Sequence, residues 1–236
     1  MRIPLSDIRT VSQCPAYYSF LKQAHKKPVS VQANITESVI KRAYVNAATT
    51  GFRLEWKSII TQVDKEVFKD IDMADDDDRM RGTKTSEHIL GFLRQWYHRM
   101  YLAEEAVGYA DISLTAEVDG YVITATAPIV KLAKGPGIMR ISDVVYNKGQ
   151  LYNDIGMRGL LWFASEALNC KSIAGQHLAI GVQGGIDLSE IQVGNDAHKR
   201  TKKAVLQALS LIEAGIDFPS VTEKCNTCPF KRRCRL

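Results

Sequence analysis

Five cysteines carry the most distinctive chemistry in this sequence. Cys225, Cys228 and Cys234 form C-x2-C-x5-C in a short basic tail, while Cys14, followed by Pro15, stands near the opposite end. The C-x2-C spacing lets two thiolates grip one metal, and a third sulfur after a five-residue gap completes a face. A fourth ligand has to come from elsewhere, and Cys14 is the candidate. Four thiolates suit either an iron–sulfur cluster or tetrahedral zinc, and spacing does not choose between them. Pro229, directly after Cys228, favours the cluster. A reducing cytosol disfavours two disulfides among these four thiols. Cys170, after an amphipathic stretch, reads as a small buried thiol. Joining Cys14 to the tail closes a loop of nearly the whole chain. By analogy with a covalent cross-link, such a closure contributes about 5 kcal/mol by constraining the unfolded state.

The rest of the sequence has to supply a scaffold for such a staple. Its 236 residues are 45% hydrophobic and 24% charged, the balance of a soluble globular protein, which excludes disorder, collagen-like repetition and a disulfide miniprotein. The longest apolar stretch, Gly159 to Ala164, is far short of the roughly 20 residues that a bilayer requires. The start, Met1 to Asp7, has no apolar signal region, so a cytoplasmic location and no membrane partner are expected. A formal charge of +5 is by itself weak support for a nucleic-acid partner. Its distribution says more. Lys224, Lys231, Arg232, Arg233 and Arg235 crowd the tail, and His198-Lys199-Arg200 with Lys202 and Lys203 form a second basic cluster. The acidic run at Asp70, Asp72 and Asp75 to Asp78 reads as a solvated face. It is no calcium loop, because the turn glycine is missing and Arg81 stands where the closing Glu belongs.

Periodicity predicts a single domain over residues 1–236: a mainly helical part (1–110), a sheet core with a helix (111–185), then a C-terminal helix and cysteine tail (186–236). Helices are expected over 6–24, from an Asn34 N-cap with Glu37 as its capping-box partner to Gly51, over 52–68, and over 88–105. Period-two alternation then predicts strands at 112–118 and 121–124 joined by an Asp119-Gly120 turn, and further strands at 129–133 and 138–146. Residues 153–168 read as helix, 177–182 as strand and 195–214 as helix. Helices, a hairpin-led sheet and a helix–strand–helix close define an α/β (α+β) class.

With these elements in place, Leu5-Ser6-Asp7-Ile8, Cys14-Pro15-Ala16-Tyr17-Tyr18, Cys225-Asn226-Thr227-Cys228-Pro229 and Cys234 resemble the RecB-like PD-(D/E)XK nucleases with an iron–sulfur staple. That group includes the AddB nuclease domain and the CRISPR-adaptation exonucleases. The resemblance implies a restriction-endonuclease-like mixed sheet flanked by helices. It also implies that the N-terminal helical part and the C-terminal tail are joined by a 4Fe-4S cluster on Cys14, Cys225, Cys228 and Cys234, with zinc as the runner-up. The family's chemistry is Mg- or Mn-dependent hydrolysis of DNA, in which hard carboxylate oxygens hold the cation and the cation activates water.

The family's catalytic residues are mostly replaced in this chain. Glu37 stands for the helix histidine, Thr124-Ala125-Thr126-Ala127-Pro128 carries no acid where a hairpin strand should, and Tyr146 stands for the acid two residues before Lys148. Arg158-Gly159-Leu160-Leu161-Trp162 occupies the place of Q-x-x-x-Y. The remnant catalytic set is therefore Lys148, Glu37 and Asp143. On a regular strand Asp143 faces away from Tyr146 and Lys148, unless a bulge realigns it. Lys148 and Arg158 would attract phosphate, and Tyr146 and Trp162 would stack on bases. The expectation is a catalytically degenerate nuclease fold that binds DNA or serves a larger nucleic-acid-handling assembly through protein partners. The alternatives are an active exonuclease with relocated acids and a zinc-stapled scaffold that binds only protein.

Overall fold

The computed structural model describes residues 2–23, 31–104, 106–133, 139–146, 155–170, 173–181, 186–192 and 194–220, together with Cys225, Cys228, Phe230, Lys231 and Cys234. Six strands form one mixed sheet: β1 (Arg2–Pro4), β2 (Ala106–Val118), β3 (Tyr121–Ala133), β4 (Met139–Tyr146), β5 (Ile173–Ile180) and β6 (Ile186–Gln192). The helices are α1 (Leu5–Gln13), α2 (Pro15–Gln23), α3 (Val31–Thr50), α4 (Trp56–Phe68), α5 (Asp76–Trp96, continued by a π-helical turn at Tyr97–Tyr101), α6 (Gly156–Leu168) and α7 (Asn195–Glu213).

The β2–β3 hairpin turns at Asp119 and Gly120, both with positive φ (49° and 83°). That is the backbone an Asp-Gly pair adopts when it joins right-twisted strands in two residues. β3 is the axis of the sheet. One edge pairs along its length with antiparallel β2. The other edge is shared, parallel β1 covering Val122 to Thr124 and antiparallel β4 covering Ile129 to Leu132. Between those two partners the edge from Ala125 to Pro128 pairs with neither. Parallel β5 and antiparallel β6 complete the sheet.

Alternation places apolar side chains on both faces, so helices cover both. On one face Ile8 and Val11 of α1, Leu161 and Phe163 of α6, and Val205 and Leu209 of α7 pack with Ile123 and Ile141. On the other, Val39 and Ile40 of α3, Ile59 of α4, and Phe92 and Trp96 of α5 pack with Ile129 and Leu178. α3 lies very close to β2, because a Cβ on Gly108 would collide with Tyr44. A buried polar cluster ties this second layer together. The Lys131 ammonium donates to Glu104 (2.9 Å) and to Gln176 (2.6 Å), and Ser142 also donates to Gln176 (3.0 Å). Burial holds the Lys131 pKa below its usual value, although Glu104 opposes the shift.

Several expectations are corrected. The first helix is two helices, broken at Cys14, because the Pro15 ring disfavours helical backbone at the preceding residue; Cys14 is extended (φ −164°, ψ 112°). α3 begins at Val31, so Asn34 is not its cap and Glu37 is an interior helical residue. The third helix starts at Trp56 and the fourth at Asp76. The acidic run forms the start of α5, where the Asp75 carboxylate accepts from the N–H groups of Asp77 (2.8 Å) and Asp78 (3.0 Å). Acids at that position satisfy orphan donors and suit the helix dipole. The strands expected at 121–124 and 129–133 are one strand, β5 begins at Ile173, and β1 and β6 were not anticipated.

Candidate functional site

Two cavities collect the chemistry-bearing residues. The first, of about 670 Å³, opens beside the uncovered edge of β3. β1 and α1 contribute Pro4, Ser6 and Arg9, α3 contributes Glu37, and β2 contributes Asp111 and Ser113. β3 adds Thr124, Thr126 and Pro128, β4 adds Asp143, and the start of α6 adds Gly156 and Met157. Pro128 has no N–H to give to a ladder. Opposite it, Asp111 interrupts the β2–β3 pairing, which runs from Ala110↔Ile129 directly to Ile112↔Ala127. Asp111 adopts φ 53°, a left-handed conformation that costs a non-glycine residue about 1–2 kcal/mol. Strain of this kind gathers at sites where structure serves function.

The carboxylates share this space. Burial, and next the negative charge of Glu37, push the Asp143 carboxyl up to about 6, against the lowering influence of Arg9 and Lys41. Lys41, one helical turn beyond Glu37, pairs with Glu37 (2.5 Å) and with Asp111 (2.6 Å). Burial opposes its charge, yet hydrogen bonds to those two acids outweigh it and raise its pKa. Each acid therefore has a different standing: Asp111 and Glu37 share the Lys41 ammonium, whereas Asp143 faces Glu37 and is held partly protonated near pH 6.

The structure brings Glu37 and Asp143 of the expected catalytic set into one cavity. The β4–β5 register is unbroken from Met139↔Ile173 to Tyr146↔Ile180, so no bulge realigns Asp143. Lys148 and the side chain of Tyr146 lie outside the described residues. Arg158 is exposed on α6 and is absent from the lining of the cavity. Trp162 is only 1% exposed within the core of α1, α6 and α7, which corrects its expected stacking role, since a ring packed on both faces cannot receive a base. Arg9, Lys41 and Asp111 were missed. The available signal was Pro128 inside a strand, which marks a local break in pairing.

The second cavity, of about 160 Å³, lies between α2 and the tail. Cys14, Cys225, Cys228 and Cys234 all line it, with Tyr17, Phe20, Pro219, Ser220 and Lys231. Pro15 starts α2 directly after Cys14, and the N–H of Tyr17 donates to the Cys14 sulfur (3.4 Å). Phe230 anchors the tail against Tyr17 and Phe20, with ring centroids 5.5 and 5.4 Å away. Backbone turns follow, the N–H of Lys231 donating to Cys228 (3.2 Å) and that of Cys234 to Phe230 (3.0 Å). Burial, then the neighbouring Cys14, Cys228 and Cys225, raise the Cys234 thiol pKa. None of the five cysteines forms a disulfide, and Cys170 is half-buried at the end of α6, outside this group. Among the described residues no three His, Cys, Asp or Glu side chains already stand at metal-holding distances, so the four sulfurs share a cavity without forming a closed shell. No described helix is long and apolar enough to cross a membrane.

This is a restriction-endonuclease-like α+β fold, a mixed sheet between two helical layers. Among solved structures, the chain is similar over its whole length to a protein from Eubacterium rectale provisionally described as an exonuclease, with a TM-score of 0.56, 12% identity and 88% of that chain covered. A second solved chain, SSO0001, aligns over 98% of this chain and 95% of its own with a TM-score of 0.40 and 10% identity, too low to carry an argument. No protein-family model and no curated protein matches the sequence.

Proposed function

We propose that this protein handles DNA through the 670 Å³ cavity, binding phosphate with the help of a divalent cation shared by Glu37 and Asp143, and that it does so without rapid hydrolysis. The observation that carries this reading is that Glu37 and Asp143 line one cavity, where burial first and the charge of Glu37 second push the Asp143 carboxyl up to about 6. A buried carboxyl beside a second acid favours a cation near it. Mg²⁺ or Mn²⁺ commonly takes one or two carboxylates, with phosphate oxygens and water completing its shell. Such a cation supplies charge neutralisation at the phosphodiester and, where water is suitably placed, an activated nucleophile. Arg9, Ser6, Thr124 and Thr126 line the same space as hydrogen-bond donors for phosphate. The described amine nearest the acids, Lys41, is engaged with Glu37 and Asp111 and so is poorly placed to move a proton for hydrolysis.

The four thiols suit a soft metal group, the iron–sulfur cluster first and zinc second. Among the described residues, their cavity offers sulfur from four side chains and no carboxylate or imidazole. Cys14, Cys225, Cys228 and Cys234 would hold it, and its contribution is a cross-link between α2 and the tail, remote in sequence from the carboxylates. Metal analysis with visible absorbance tests the assignment: brown protein that bleaches on reduction supports the cluster, and colourless zinc protein overturns it.

The decisive experiment titrates Mn²⁺ into wild type, Glu37→Gln and Asp143→Asn, then measures retention and cleavage of labelled single-stranded and duplex DNA. Wild type should bind Mn²⁺ and retain DNA more tightly with it, and each variant should lose Mn²⁺ binding by tenfold or more, on the order of 1.4 kcal/mol. Equal Mn²⁺ affinity in all three proteins overturns the reading. Metal-dependent cleavage lost in Asp143→Asn would favour the second reading, an active exonuclease with relocated acids, for which the Glu37–Asp143 apposition is equally the specific support.

A further inference from the structure

A separate cationic surface lies on α7. Thr201, Val205, Ala208 and Leu209 of α7 are buried, so helical periodicity turns Lys199, Lys202, Lys203, Gln207 and Ser210 outward; with half-buried Leu206, which packs against the core, these residues line one shallow depression of about 480 Å³. Lys199 with Lys203, and Lys199 with Lys202, stand at i,i+4 and i,i+3, where like charges oppose helix formation. Of the acids on this helix, only Asp196, three residues before Lys199, is spaced to relieve one of them. Asp196 lies in its first turn and Glu213 at its far end, where Tyr121 donates to Glu213 (2.5 Å). Lys202 has a partner across the surface, Asp119 at 3.6 Å. Lys199 and Lys203 are exposed.

We propose that this face of α7 binds the phosphate backbone of single-stranded DNA, as a docking surface distinct from the carboxylate cavity. Charge complementarity selects a polyanion, and the lining selects which one. Leu206 is its single apolar member, whereas a protein interface needs buried aromatic or aliphatic anchors and a bilayer needs an apolar face. Gln207 and Ser210 supply the neutral donors that commonly position phosphates. The choice of DNA over other polyanions rests on the proposed function; the surface itself does not.

The test is the salt dependence of binding of a fluorescent 20-nucleotide single strand to the full chain, for wild type, Lys199→Gln/Lys203→Gln, Lys199→Arg/Lys203→Arg, and Asp143→Asn. Removing two phosphate contacts should reduce the slope of log K against log salt by about 1.4, and the arginine pair should keep it. An unchanged slope in the glutamine pair overturns the proposal, as does polyglutamate competing as well as the oligonucleotide at equal charge. Asp143→Asn keeps the α7 contribution while abolishing the Mn²⁺ effect. A wild type without any Mn²⁺ effect to lose would therefore sink the cavity reading and leave the α7 result to stand or fall by its own slope.

Discussion

The two cavities are opposites in donor chemistry and in construction. Over the sheet, hard carboxylate oxygens from α3, β2 and β4 meet around space large enough for a phosphate and its water, and a lysine already neutralises part of their charge. At the chain ends, soft sulfurs line a cavity about a quarter as large, with one thiol raised by its neighbours. The first is held by a sheet and two helical layers and would persist with its ligand removed. The second joins a helix start to a tail whose described residues are held by Phe230 and by hydrogen bonds within the tail. The difference teaches where the free energy of each proposed metal would go: at the carboxylates into a ligand, at the thiols into the fold.

The largest expected effect follows from that division. Cys14→Ser should lower stability by about 5 kcal/mol, the closure term for a loop of this length, and should release the tail metal. Denaturant unfolding alongside metal content measures it. A loss below about 1 kcal/mol with metal retained would mean that Cys14 is no ligand, and the contrast between the two cavities would collapse. Removing the metal from wild type by chelation should reproduce the stability loss, while leaving Mn²⁺ binding at Glu37 and Asp143 within threefold, less than about 1 kcal/mol.

The two regions were also unequally legible in the sequence. The cysteine set follows from local spacing plus a single distant partner, and Pro15 fixes the geometry around Cys14 on its own. The hairpin was legible for the same reason, because Asp119-Gly120 is a local backbone signal. The carboxylate site depends on long-range register instead. Asp111, 70 residues from Lys41 in sequence, meets that lysine because α3 lies close on β2 at Gly108. Glu37 looked like a capping-box partner because Asn34 and Glu37 satisfy a local rule, yet the helix starts earlier and the residue faces the sheet. Trp162 looked available for stacking because periodicity alone does not reveal that α1 and α7 both pack on α6. β1 and β6 were missed because three residues, and seven with mixed polarity, give too short an alternation to separate from loop.

Asp143→Asn should have the next largest effect, and of opposite sign. A carboxyl raised from 3.8 to about 6 binds its proton more tightly folded than unfolded. Folding is therefore penalised once the group ionises: the penalty is absent below about pH 4, grows through pH 4–6 and is complete above pH 6. The amide should stabilise the protein by about 2–3 kcal/mol at pH 7.5 and by little at pH 4. Thermal melts of both proteins across this range check it. Saturating Mn²⁺ should stabilise wild type at pH 7.5 and leave Asp143→Asn unmoved; a gain in the variant that is equal at both pH values would remove the electrostatic explanation.

The smallest effect tests whether Asp111 belongs to the cation site or only to its frame. Its left-handed backbone favours glycine, so Asp111→Gly relieves about 1 kcal/mol of strain, while the half-exposed pair with Lys41 that it gives up is worth about 0.5 kcal/mol. Greater backbone entropy in the unfolded chain takes back a similar amount. The three contributions nearly cancel, and stability should stay within about 1 kcal/mol of wild type. Mn²⁺ affinity should be the sharper reading. With Asp111 gone, Lys41 has Glu37 as its remaining acid at that end and competes harder for it, so Mn²⁺ should bind a few-fold more weakly, on the order of 0.5–1 kcal/mol. A tenfold or greater loss would make Asp111 a direct ligand and turn the pair of carboxylates into a triad; an unchanged affinity would show that Lys41 does not contest the site at all.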